Sequence, residues 1–189
     1  MNVYDFDNTI YRGDSTADFY IFCLKRHKRI LLLAPSLLGA VTKFYIFKRG
    51  TKTDMKEKMY RFLRYSNAER DVEEFWDSHI KNIKTFYLER QREDDLIISA
   101  SPYFLLGPIC ERLGIKRLIA SDVDPVTGKY TGINCHGEEK VRLFRERYRE
   151  EIDEFYSDSQ SDAPLAKIAG KAFLVKGNEI SEWNTGLTQ

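Results

Sequence analysis

The chain has 189 residues, of which 42% are hydrophobic and 31% charged, the profile of an ordinary globular protein long enough for one domain with an insertion. Its three cysteines, Cys23, Cys110 and Cys135, exclude a disulfide framework or a cysteine-rich zinc site and point to a reducing cytoplasm. A net charge of +1 hides a strong segregation, because residues 25–64 carry twelve Lys or Arg against only Asp54 and Glu57, which predicts a part of the chain with its own task.

In chain order, Val3-Tyr4-Asp5-Phe6-Asp7-Asn8-Thr9-Ile10 reads as a short buried strand ending in two carboxylates one residue apart. The amino terminus runs directly into it, with no basic and apolar leader of the secretory kind. Tyr11 to Ser15 forms a turn with Asp14 or Ser15 as helix cap, and a helix over 15–28 follows with Phe19, Phe22 and Cys23 near one face. Residues 30–47 are the most apolar run, interrupted by Pro35, Ser36, Gly39 and Lys43 and flanked by basic residues. The run predicts a helical hairpin. Packing it into a helical core is the first reading; contact with a membrane surface is the second, since basic flanks around an apolar face mark interfacial helices; a true membrane span is the last.

Two more helices are expected, over about 51–65 and 68–91, from apolar spacings of three and four. Residues 13–91 therefore read as an all-helical unit inserted after a single strand, with 1–12 and 92–189 forming the other unit. From residue 94 strands and helices alternate. Leu96-Ile97-Ile98 is a strand ending at Ser99-Ala100-Ser101, and a helix over 102–113 should be kinked or interrupted at Pro108. A strand over 117–120, a flap over 123–132, a charged helix over 138–150, a strand over 154–156 and a last strand over 172–175 complete the chain. This alternation predicts an α/β fold, a parallel sheet with helices on both faces, whose chemistry collects at the carboxyl ends of the strands.

That rule selects residues. Asp5 and Asp7 end the first strand, Ser99 the second, and Asp158 follows Tyr156 at a third, with Asp162 close behind. Carboxylates gathered in this way can hold a hard cation such as Mg2+, and one can attack an electrophile while another handles a proton. Ser99 and the helix start after it can hold an anionic oxygen. Lys140, just after the flap, can neutralise both nucleophile and substrate.

These residues together resemble the haloacid dehalogenase superfamily. Asp5-Phe6-Asp7-Asn8-Thr9 matches its first motif, Ser99 its second, Lys140 its third, and Asp158 with Asp162 its fourth. A helical insertion directly after the first motif is similar to the phosphoserine phosphatase-like branch. The resemblance implies a Rossmann-like core with a helical cap and a Mg2+-dependent phosphatase working through an aspartyl phosphate. Asp5 would be the nucleophile and Asp7 the acid and base. Asn8, Thr9, Ser99, Ala100 and Lys140 would bind phosphate. Mg2+ would be held by Asp5, Asp7 and Asp158, with Asp162 as further ligand or support.

Ser157 stands where the branch usually has glycine, and Ala100-Ser101 replaces a glycine pair, which alters the room near the phosphate. Asp14 is the candidate for the acid that recognises an amino-acid substrate in this branch; Arg49, Arg61 and Arg64 are candidates for its arginine. The basic, apolar insertion also resembles the phospholipid-directed members, such as phosphatidylglycerophosphate phosphatases. The expected partner is thus a phosphorylated small molecule or lipid, with peripheral contact of the basic cap with an anionic membrane and no nucleic acid. The competing class is a non-catalytic module of the same fold that binds a phosphorylated ligand or an anionic surface. His27, His79 and His136 lack ligand spacing and read as surface or packing residues, and Cys135 has no orienting base to make it a nucleophile.

Overall fold

The computed structural model describes residues 1–49 and 51–183. Among them, six strands form one sheet in the order β3-β2-β1-β4-β5-β6. The strands are β1 (Asn2–Tyr4), β2 (Leu96–Pro102), β3 (Arg117–Ser121), β4 (Ile152–Ser157), β5 (Ala169–Lys176) and β6 (Glu179–Glu182). All neighbours are parallel except β6, which returns antiparallel to β5. The chain leaves β1 towards β2 on one side and reaches β4 on the other, so a crevice opens at the carboxyl ends of these three strands, where the order reverses.

Alternation along the strands divides the core. Tyr4, Ile97 and Tyr156 face one layer, while Val3, Leu96, Ile98 and Phe155 face the other, as a period of two requires. The second layer is covered by α7 (Glu138–Arg147) through Phe144 and by α8 (Ala163–Ala166) through Leu165 and Ala166. The first is covered by α6 (Tyr103–Arg112) and by the helices lying between β1 and β2. These are α1 (Ser15–Arg26), α2 (Ala34–Tyr45), α3 (Lys52–Tyr60), α4 (Ala68–His79) and α5 (Thr85–Arg90), joined by 3-10 turns over Lys28–Leu33, Arg61–Tyr65 and Ile80–Asn82. Everything regular between β1 and β2 is helical among the described residues. Phe19, Phe75 and Trp76 from this segment share one continuous core with Tyr4, Phe6 and Leu105, and Trp76 Nε1 donates to the Leu105 carbonyl at 2.7 Å.

Local signals account for the helix starts. The Asp14 side chain accepts from Ala17 N at 2.9 Å, Thr51 and Asp54 make a reciprocal capping box, and Asn67 caps α4 through Arg70 N at 3.2 Å. Three expectations need correction. The helix over 68–91 is broken, because residues 82–84 give their backbone to the loop after β1: Arg12 N donates to Asn82 O at 2.8 Å and Lys84 N to Ile10 O at 2.7 Å. Of the two outcomes expected at Pro108, interruption does not occur: the residue lies inside α6, with Leu105, Leu106, Ile109 and Cys110 buried on either side of it. The apolar run is not core: it is a 3-10 turn followed by α2, with Ile30 and Ala40 buried but Leu32, Leu38, Ile46 and Phe47 exposed. No helix among the described residues is long and apolar enough to cross a membrane.

Candidate active site

A cleft of about 260 Å³ lies at the carboxyl ends of β1, β2 and β4. Its walls include Asp5, Asp7, Asn8, Ser99, Ala100, Lys140, Asp158 and Asp162, which are scattered over the sequence and meet only here. Thr9 does not line it. Fully buried, Thr9 accepts the Asp158 N–H on Oγ1 at 3.0 Å, which ties the loop after β1 to the loop after β4.

Asp5 sits one residue past β1, its N–H held by Tyr156 O at 2.9 Å. Lys140, carried inward by α7, donates from one ammonium to Asp5 Oδ1 and to Asp162 Oδ2, both at 2.8 Å. Ser157 Oγ donates to the same Asp162 oxygen at 2.8 Å. Burial pushes the Asp5 carboxyl up to about 7; the Lys140 charge works against that rise and Asp162 adds to it. Burial pulls the Lys140 ammonium down, but Asp5 and Asp162 outweigh it and leave it more firmly protonated than a free lysine.

Asp7 is held differently. Ser15 N, at the start of α1, donates to its Oδ1 at 2.6 Å, and Ser101 Oγ donates to its Oδ2 at 2.5 Å. Burial and the Asp14 carboxylate push Asp7 up to about 6, while the donors from Ser101 and Ser15 restrain the rise. A carboxyl in this range gives and takes a proton readily near neutrality. Two carboxyls one residue apart therefore differ in their partners, a lysine for Asp5 and neutral donors for Asp7.

Several neighbours escape sequence reasoning. Ser101 is one, although the Ser-Ala-Ser run at the end of β2 offers it beside Ser99. Ser99 Oγ accepts the Ser101 N–H at 3.1 Å, and Thr16 Oγ1 lies 3.0 Å from Ser101 Oγ. Lys84 is another: its ammonium is bound by the carbonyls of Asn8 and Gly177, the latter at 2.7 Å, and it fixes Asn8 in its left-handed turn at φ 55°. Lys56 of α3 donates to Ala100 O at 3.3 Å and brings a cation of the helical segment to the cleft. Arg49, Arg61 and Arg64 line a separate groove, and Asp14 stands at the cleft as the cap of α1.

The donors suit a hard divalent cation. The carboxylates of Asp5 and Asp158 share the cleft, and burial pushes Asp158 up. No cluster of three or more carboxylate, imidazole or thiol residues placed to hold a metal ion occurs among the described residues; Mg2+ takes one or two carboxylates together with main-chain oxygen, water and substrate. Cys135 is buried and burial pushes its thiol up to about 12, so it is no nucleophile. His136 lines the cleft, whereas His27 lies 2.6 Å from buried Asp71 and His79 stacks on Phe75.

A probable phosphatase of Mycobacterium tuberculosis (strain ATCC 25618 / H37Rv) is 36% identical over 90 residues, 43% of this chain and 31% of that protein. A phosphoserine phosphatase of the same strain is 27% identical over 195 residues, covering 91% of this chain and 63% of its own length. The chain thus spans less than two thirds of these relatives. The solved structure of a Bordetella pertussis Tohama I protein of unknown function superposes with a TM-score of 0.71 at 23% identity, covering 91% of this chain and 87% of that one, which is a likeness of fold. With a description of haloacid dehalogenase-like hydrolases matching residues 3–167, the chain belongs to that family.

Proposed function

We propose that the protein is a Mg2+-dependent phosphatase that hydrolyses a phosphomonoester through an aspartyl phosphate. The observation that carries the reading is the different tethering of Asp5 and Asp7 in one cleft. Asp5, oriented by Lys140, supplies the carboxylate oxygen that attacks phosphorus. As the bond from phosphorus to the ester oxygen breaks, Asp7 gives its proton to the leaving oxygen. Asp7 then takes a proton from the water that attacks the aspartyl phosphate, which releases inorganic phosphate and restores Asp5.

Asp5, the Asp7 main-chain carbonyl and Asp158 would hold Mg2+, which when bound supplies positive charge to the phosphoryl oxygens. Asp162 acts through Lys140 in this reading, because its Oδ2 is taken by Lys140 and Ser157. Ser99, Asn8, the Ala100 backbone and Lys140 surround the phosphoryl group, and Thr9 acts by positioning Asp158. The helices over residues 13–91 serve as the cap over residues 1–12 and 92–189, with Lys56 and Tyr60 facing the cleft.

The substrate is a small-metabolite or phospholipid-type phosphate. A phosphoserine-like substrate, as the name of the mycobacterial relative suggests, would place its amino group near Asp14; none of Arg49, Arg61 and Arg64 is at the cleft to meet its carboxylate. The three buried free cysteines fit a reducing, cytoplasmic setting. Hydrolysis of p-nitrophenyl phosphate tests the reading: Mg2+-dependent release is expected from the wild type and its loss from Asp5→Asn. Equal inactivity of both across a broad panel of phosphomonoesters would favour a binding module instead.

A further inference from the structure

A helix apolar on one side covers a core; a helix apolar on both sides needs a second partner. α2 is of the second kind. Ala40 is buried on its inner side and Phe44 faces a groove with α3. Leu38, Val41 and Tyr45, spaced three and four apart, form an outer stripe, with Leu38 69% exposed. Leu31 and Leu32 extend this exposed surface at one end, and Ile46 and Phe47 extend it at the other.

The charges around it have one sign. Lys28, Arg29, Lys43, Lys48 and Arg49 are all exposed. Behind α2, the groove of about 520 Å³ is lined by Lys43, Arg49, Lys58, Arg61, Arg64 and Lys129, against Asp54 and Glu57. A second copy of the chain meeting this face across a two-fold axis would set these cations against their own copies. An anionic bilayer answers both features at once, with acyl chains for the apolar stripe and phosphates for the cations.

We propose that residues 31–47, with the basic groove behind α2, form a docking surface for an anionic phospholipid bilayer. The surface is distinct from the catalytic cleft, since none of these residues lines it. It extends the phosphatase reading by placing the cleft beside a lipid surface, yet it can be tested without catalysis.

The test is co-flotation of the full chain with phosphatidylcholine vesicles, with and without phosphatidylglycerol. Phosphatidylglycerol should raise the bound fraction roughly ten-fold or more, with binding weakened by salt. The double variant Leu38→Glu with Ile46→Glu should fall to the phosphatidylcholine level while keeping the wild-type thermal melt, because both side chains are exposed. Arg61→Gln with Arg64→Gln should lose binding several-fold. Asp5→Asn should float like the wild type, which separates docking from capture in the cleft and from the fate of the phosphatase reading. Absence of binding at low salt, equal binding to both vesicle types, retention by the Leu38→Glu/Ile46→Glu variant, or loss in Asp5→Asn would each overturn the proposal. So would a dimer in light scattering that Leu38→Glu dissolves, since a second copy would then cover the face.

Discussion

Ser101 Oγ donates to Asp7 across 94 positions of sequence, and with Ser15 N it satisfies both oxygens of that carboxylate. Removing it should leave substrate binding largely intact and disturb the proton step. Ser101→Ala is expected to lower kcat by about ten-fold, the size of one hydrogen bond to a charged group, with KM little changed. Steady-state kinetics on p-nitrophenyl phosphate reads this directly. A loss carried entirely in KM would assign Ser101 to substrate binding instead.

Lys140 neutralises two buried carboxylates, so Lys140→Met leaves Asp5 and Asp162 facing each other without a cation. Breaking a buried charge cluster from one side costs about 3–5 kcal/mol. The sign with pH follows from the raised Asp5 carboxyl. With Lys140 present Asp5 sits at about 7, and Lys140 opposes the rise that burial causes; without that cation the folded carboxyl holds its proton still more tightly, so the variant loses more stability than the wild type as pH rises from about 4. Thermal melts should therefore show a large deficit for the variant at about pH 8 that narrows towards about pH 5. A deficit independent of pH would mean that lost packing, not unpaired charge, dominates.

The first motif, the two later strand ends at Ser99 and Asp158 and the α/β alternation were readable because each depends on local pattern: apolar runs of strand length that stop at a polar residue. The break in the helix over 68–91 was not, because its cause lies in Ile10 and Arg12, which draw off the backbone of Asn82 and Lys84 from seventy positions away. Hydrophobicity also could not separate a buried from an exposed run over 30–47, since burial there depends on which neighbours arrive. Thr9 and Ser101 show the same limit inside the site. Motif position brings a residue near the chemistry, but only the tertiary hydrogen bonds show that Thr9 supports Asp158 and that Ser101 reaches Asp7.

Gly128 joins the flap to the helices. A β-carbon there would lie 2.3 Å from the Tyr60 carbonyl oxygen, and its φ of +71° disfavours any side chain. Gly128→Ala should push the flap away from α3 and weaken the bond from Tyr130 N to Glu57 Oε1, now 3.0 Å. A destabilisation of about 1–3 kcal/mol is expected. Because Tyr60 also lines the cleft, KM should rise. An unchanged melting temperature would show that the flap moves without cost.

Asp95, just before β2, is 1% exposed. Its Oδ2 accepts from Arg92 N at 2.9 Å, while Oδ1 is buried without a hydrogen-bond partner. Burial, the largest influence, pushes its carboxyl up to about 6, with Asp94 adding to the rise and the Arg92 backbone donor opposing it. The folded state therefore binds this proton more tightly than the unfolded chain does. Its contribution favours folding below about pH 4 and is lost as pH rises through about 6. Asp95→Asn keeps an acceptor for Arg92 N and removes the charge. The variant should melt a few degrees above the wild type at about pH 8 and show much less advantage at about pH 4, where the wild-type carboxyl is already neutral. Comparing the two proteins at each pH cancels the titration of every other group. An advantage that is the same at both pH values, or a variant less stable at the higher one, would mean that the carboxylate finds compensation beyond the Arg92 bond.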